Sequence, residues 1–138
     1  MPLHMGKRDL QHRRDQLLGS ATRIDAAGLD SATVSLLLLH TAECALSERL
    51  LTRGKHRDSS ALEPHHDLRS MAQELRLPGI VGKHIARLHG RRAADPAVGR
   101  IDRSDLCTAL RLGVELDEAD QKAVQDALRA IIDWCMRN

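Results

Sequence analysis

Residues 31–51, SATVSLLLLHTAECALSERLL, decide the fold of this chain. They run for 21 residues without proline or glycine, and their first half is apolar around most of a helical circumference. A segment of this kind is a helix with neighbours on several sides, so it is expected to be the central helix of an α-helical core. Asp30 or Ser31 is the expected N-cap. The longest apolar run, Leu36 to Leu39, falls far short of the roughly 20 residues that a membrane span needs.

The remaining elements are read outward from there. Upstream, residues 8–27 form a polar-rich helix with a loose stripe of Leu10, Leu17, Leu18, Ile24 and Ala27, stopped by Gly28. Downstream, TRGKHRDSSALEP is a loop by composition. Pro64 then opens a third helix, in which Leu68, Met71, Ala72 and Leu75 recur at i, i+3, i+4 and i+7 until Pro78 and Gly79 break it. A weaker helix is expected over 80–91, and RRAADPAVGRID (91–102) is read as a loop. A short helix over 103–112 ends at Gly113. The last helix is the clearest, with Asp117 as N-cap and Asp120 at N3. Its Ala119, Ala123, Val124, Ala127, Leu128, Ile131, Ile132 and Cys135 make one continuous apolar stripe.

Composition agrees. The 138 residues include 22 Leu and 17 Ala but only 11 Val and Ile together, which favours helices over strands. The fold class expected is all-α, an up-and-down bundle of four to six helices, with residues 1–7 as a flexible tail and 8–138 as a single domain. The N-terminus lacks an apolar signal core, so a cytoplasmic location is expected. Cys44, Cys107 and Cys135 are too far apart for a zinc knuckle and are read as small apolar residues.

Charge is balanced overall at +2 but not locally. Between Arg76 and Arg103 lie seven basic residues and two acidic ones, net +5. Any anion-binding surface is therefore expected on this segment, through Arg87, Arg91, Arg92, Arg100 and Arg103. With one Trp and no Phe or Tyr, base stacking has little to work with, so binding would run through arginine and phosphate.

Three stretches, LLLLHTAECALSERLL (36–51), HHDLRSMAQEL (65–75) and ADQKAVQDALRAIIDWCMRN (119–138), together resemble the HEPN superfamily. The resemblance implies a four- or five-helix bundle that often pairs as a homodimer, with a nucleotide- or RNA-linked role in toxin–antitoxin and defence modules. Active members cut RNA with an Arg and a His spaced by four to six residues on a late helix. Histidine moves a proton of the ribose hydroxyl, and arginine steadies the phosphorane charge. Here no His follows His89, and the sole match to the spacing is Arg49 with His56, at the end of the central helix. The resemblance thus implies RNA or nucleotide binding without efficient nuclease activity. A protein-docking adaptor or inhibitor, bound to an antitoxin or a larger complex, is the alternative, and a metal-independent ribonuclease using Arg49 and His56 is a third.

Other constellations are weaker. His84 and His89 sit about 140° apart on a helix, not on one face, so neither a metal nor another cofactor is expected. His65 and His66 are read as capping residues beside Asp67. His40, with Glu43 and Cys44 following at i+3 and i+4, is read as a core histidine bonded to a neighbouring carboxylate or carbonyl. VGRIDRSDLCTALRLGVELDEADQKAV is similar to the exit half of an EF-hand. The loop positions that need side-chain oxygens would be Ala94, Pro96 and Val98, so calcium binding is not expected. The same stretch mimics a helix-turn-helix whose second helix opens with Asp117, Glu118 and Asp120, which repel phosphates. Trp134, at the edge of the last stripe, serves either the core or a dimer interface.

Overall fold

The computed structural model describes residues 6–54 and 91–138, together with Leu68, Met71, Leu75, Gly79 and Lys83 between them, and leaves out the side chains of residues 103 and 104. The element order is α1 (Lys7–Ala26), α2 (Ser31–Gly54), β1 (Arg91–Arg92), β2 (Arg100–Ile101), α3 (Arg103–Arg111) and α4 (Glu118–Arg137). This is an all-α helical bundle, with one two-stranded antiparallel sheet among the described residues. Among the described residues no helix is long and apolar enough to cross a membrane.

α2 is central, as its pattern requires: α1, α3 and α4 all pack against it. Its buried residues run from Ala32 to Leu51 and include Val34, Leu38, Leu39, Ala42, Ala45 and Leu46. Of the stripe expected of it, α4 buries Val124, Ala127, Leu128, Ile131, Ile132 and Cys135, while Ala123 is half-buried and Ala119, on the first turn, is exposed. Two contacts fix the directions. Gln11, near the start of α1, reaches Glu48, near the end of α2, so these helices are antiparallel. Gln121 and Gln125, early in α4, reach Ser31 and Ser35 at the start of α2, so α2 and α4 run parallel. The end of α2 and the start of α4 thus lie at opposite ends of the bundle.

The helix ends follow local chemistry. Asp30 caps α2: its carbonyl accepts from the amides of Thr33 and Val34, and its carboxylate accepts from the Thr33 hydroxyl at 2.5 Å. Gly28 and Gly113, expected as stops, have φ of 69° and 76°. Each closes a Schellman motif: Leu29 N–H bonds to Ile24 O (3.2 Å), and Val114 N–H to Ala109 O (3.0 Å). A Cβ on Gly113 would meet nothing within 4 Å, so Gly113→Ala tests the backbone alone. It is expected to lower stability by about 1–2 kcal/mol, read as a lower urea midpoint at unchanged slope.

Three expectations need correction. α1 begins at Lys7, inside the stretch assigned to a tail, and Gly6 precedes it with its amide 3.4 Å from the Asp9 carboxylate. Gly79 is itself helical, as is Lys83, where Pro78-Gly79 was expected to end a helix. Glycine costs a helix only about 1 kcal/mol relative to alanine, so residue type alone does not force a stop at Gly79. Residues 91–102 are not a plain loop but a hairpin. The third-helix stripe holds where it is described, since Leu68, Met71 and Leu75 are helical and buried, while Ala72 lies outside the described residues, as do His65, His66, Asp67, His84 and His89.

Candidate nucleic-acid interface

The hairpin is made by its turn. Asp95 and Pro96 start it: the Asp95 carboxylate accepts from Ala97 N–H at 2.9 Å, and its carbonyl from Val98 and Gly99 N–H at 3.1 and 3.3 Å. Gly99, at φ 71°, takes the left-handed conformation that lets the chain return in register. The strands themselves are two residues each, and three of those four residues are arginine, so no alternation of apolar and polar residues announces them.

The register is Arg91 opposite Ile101 and Arg92 opposite Arg100. Opposed residues of an antiparallel pair share a face, and successive residues alternate. Ile101 is buried and Arg91 half-buried, so these two mark the inner face. Arg92 and Arg100 are exposed together on the outer face. Two like charges set directly opposite each other weaken a sheet. Among the described residues neither guanidinium has a carboxylate partner.

What holds the hairpin despite this repulsion is its inner side. Asp120 of α4 accepts from Arg92 N–H at 2.6 Å and pairs with Arg91 Nη1 at 3.1 Å. Arg92 O accepts from Asp117 N–H at 2.8 Å, Ala94 N–H donates to Glu115 O at 2.9 Å, and Ala93 bridges Leu116. Asp120, on the first turn of α4, thus faces the hairpin, and Asp117 caps the helix without a side-chain bond. Sequence reading missed this role of Asp120, placing it only at N3. A carboxylate on a helix's first turn is favourable by itself, so nothing in the local pattern demands a distant partner.

Arg103 begins α3, immediately after the hairpin, and its side chain is outside the described residues, as is all of Arg87. Of the five arginines expected to bind anions, then, the structure brings Arg92 and Arg100 together and turns Arg91 inward to Asp120.

No family model, curated protein or solved structure matches the chain.

Arg49, the expected catalytic arginine, is engaged elsewhere. Its Nε and Nη2 donate to the two oxygens of Glu48 at 2.8 and 3.0 Å, and its Nη1 donates to the Asn138 carbonyl. The bonds to Glu48 push the guanidinium further above its already high value. His56 lies outside the described residues. Glu48 itself is 2% exposed and also accepts from Gln11 Nε2 and Thr52 Oγ1, each at 3.0 Å. Burial alone would raise its carboxyl. The bonds from Arg49, Gln11 and Thr52 outweigh burial and hold it below the usual carboxylate value.

His40 is half-buried rather than buried, and the Glu43 carboxylate meets Arg111 of α3 at 2.6 Å instead of the imidazole. The long guanidinium reaches across helices to a carboxylate that is on the same helix as His40 but turned toward α3. Cys135 is buried, and burial pushes its thiol up to about 12, which leaves it unreactive; Cys44 and Cys107 are only half-buried. Trp134 is half-buried, packed on the core, with the Arg53 guanidinium 5.9 Å from its ring centre. Arg53 in turn donates to the Leu75 carbonyl, tying the end of α2 to that buried leucine.

An open groove of ≈ 850 Å³ lies between the starts of α2 and α4. Glu115, Asp117 and Glu118 line it, and Gln121, buried at its base, spends its amide on Leu116 N–H, Ser31 O and Ser35 Oγ. Its charge is of the wrong sign for a phosphate ligand.

Proposed function

We propose that this chain is an RNA- or nucleotide-binding helical bundle of HEPN type, acting in a toxin–antitoxin or defence module without nuclease chemistry of its own. The observation that carries the reading is the exposed cross-strand pair Arg92–Arg100 on a hairpin braced from behind by Asp120. A fold that sets two arginines directly opposite each other at the cost of their repulsion gains that energy back when an anion sits between them. Supporting the absence of nuclease chemistry, Arg49 is committed to Glu48 and no histidine follows His89.

The test is the salt dependence of binding to a single-stranded oligoribonucleotide at low and moderate salt. Each phosphate contact on a single strand contributes a slope of about −0.7 in log K against log salt. Arg92→Ala and Arg100→Ala are each expected to weaken binding and to flatten the slope by about that amount. Lys122→Ala, which removes a cation already paired with Asp126 on α4, is expected to leave both unchanged. The RNA is expected back intact. Cleavage abolished by both Arg49→Ala and His56→Ala would replace this reading with a ribonuclease. No binding at low salt would leave the protein-docking alternative, for which the exposed Leu112 and Val98 are the apolar handles.

A further inference from the structure

The outer face of the hairpin is small, and its borders are acidic. Asp95 stands exposed in the turn beyond both strands, and Asp102 is exposed directly after β2. On the neighbouring segment, paired with residues 93 and 94, are Glu115, Asp117 and Glu118, all lining the acidic groove. Arg91, between Arg92 and the preceding chain, faces inward and is neutralised by Asp120. Among the described residues, the basic charge of residues 76–103 is present at this place as two outward arginines with carboxylates at flanking positions.

A polynucleotide backbone laid across such a spot would bring its next phosphates against carboxylates. A phosphate at a chain end, or on a free nucleotide, would not. Stoichiometry agrees. Directly opposed side chains start with their Cβ atoms about 4.5–5.5 Å apart, so both guanidiniums can reach one ligand. Together they offer two positive charges and several N–H donors. An internal phosphodiester has one negative charge, whereas a phosphate monoester carries about −1.5 to −2 at neutral pH and three strong acceptor oxygens.

We propose that Arg92 and Arg100 form a site for a terminal phosphate monoester, preferred over internal phosphodiesters. This rests on the reading of the pair as a phosphate contact and narrows it to one chemical class. In that complex one guanidinium from each strand donates to the terminal oxygens, while Asp120 holds the Arg92 amide and the Arg91 guanidinium and touches no ligand.

The experiment compares one short oligoribonucleotide in three forms, with a 5′-phosphate, with a 3′-phosphate and with hydroxyls at both ends, by anisotropy of an internal label. At least one phosphorylated form is expected to bind about tenfold or more tightly than the hydroxyl form, the size of one good charge-assisted contact. That advantage should vanish in Arg92→Ala and in Arg100→Ala. A nucleoside monophosphate that competes where the nucleoside does not points to a free nucleotide as the ligand; failure of both to compete, with the end preference intact, assigns the RNA end. Equal affinity of all three forms, each weakened by loss of Arg92 or Arg100, would overturn the terminal-phosphate inference and leave the RNA reading standing. Affinity indifferent to both arginines would overturn both.

Discussion

Glu48→Ala is expected to destabilise the fold by about 3–5 kcal/mol, the usual consequence of removing one partner from a buried ionic network. The carboxylate is 2% exposed and receives four side-chain hydrogen bonds, two from Arg49 and one each from Gln11 and Thr52. Without it the Gln11 amide loses its partner, and the Arg49 guanidinium, itself largely covered, loses its counter-ion at the place where α1 crosses the end of α2. Urea unfolding with an unchanged slope measures this. A cost under about 1 kcal/mol would mean that water reaches the site and replaces the lost bonds.

The same network gives a pH dependence with a definite sign. The folded Glu48 carboxyl titrates below its ordinary value of 4.5, so the unfolded chain takes up this proton first as pH falls. Its contribution to stability is complete above the unfolded value and is lost as pH falls through the lower, folded one. The urea midpoint of the wild type should drop across that acid range, and Glu48→Gln, which has no proton to take up, should drop less.

Leu38→Ala is the second large effect, expected at about 2.7–5 kcal/mol. Leu38 is fully buried on the helix that α1, α3 and α4 share, and truncating a leucine in such a place leaves a cavity that several elements would have to move to fill. Its neighbour Leu37 is only half-buried, so Leu37→Ala should cost clearly less. Equal costs for the two would show that the packing around α2 is looser than described.

These two leucines show where legibility ends. The run Leu36 to Leu39 announces a buried helix but not which of its members are deepest, because four adjacent apolar residues cover the whole circumference. In the structure Leu38 and Leu39 are buried and Leu36 and Leu37 half-buried, a choice made by the direction from which the neighbouring helices approach. Gly28 and Gly113, by contrast, were readable as helix stops from residue type alone, because only a left-handed residue closes a Schellman motif without strain. The hairpin lay between these cases. Asp95-Pro96 and Gly99 are turn residues in the right order, yet strands of two residues, mostly arginine, carry no periodicity to read.

The candidate site was half legible. Charge counting pointed to residues 76–103, and Arg92 and Arg100 lie there. That they stand side by side, eight positions apart, follows from the register set by the turn. That Arg91 is withdrawn follows from Asp120, 29 positions away. Arg49 was chosen by its spacing from His56, and spacing along a helix says nothing of Gln11, 37 positions upstream of Glu48, or of Asn138.

By itself the sequence determined the all-α class, the central place of residues 31–51, the apolar face of the last helix and the glycine stops, because each rests on conformational preference or on periodicity within a few turns. Only the tertiary structure decided which charges are spent and which are free. Ion pairing depends on where distant segments meet, and a guanidinium has the same composition whether it faces Asp120 or the solvent.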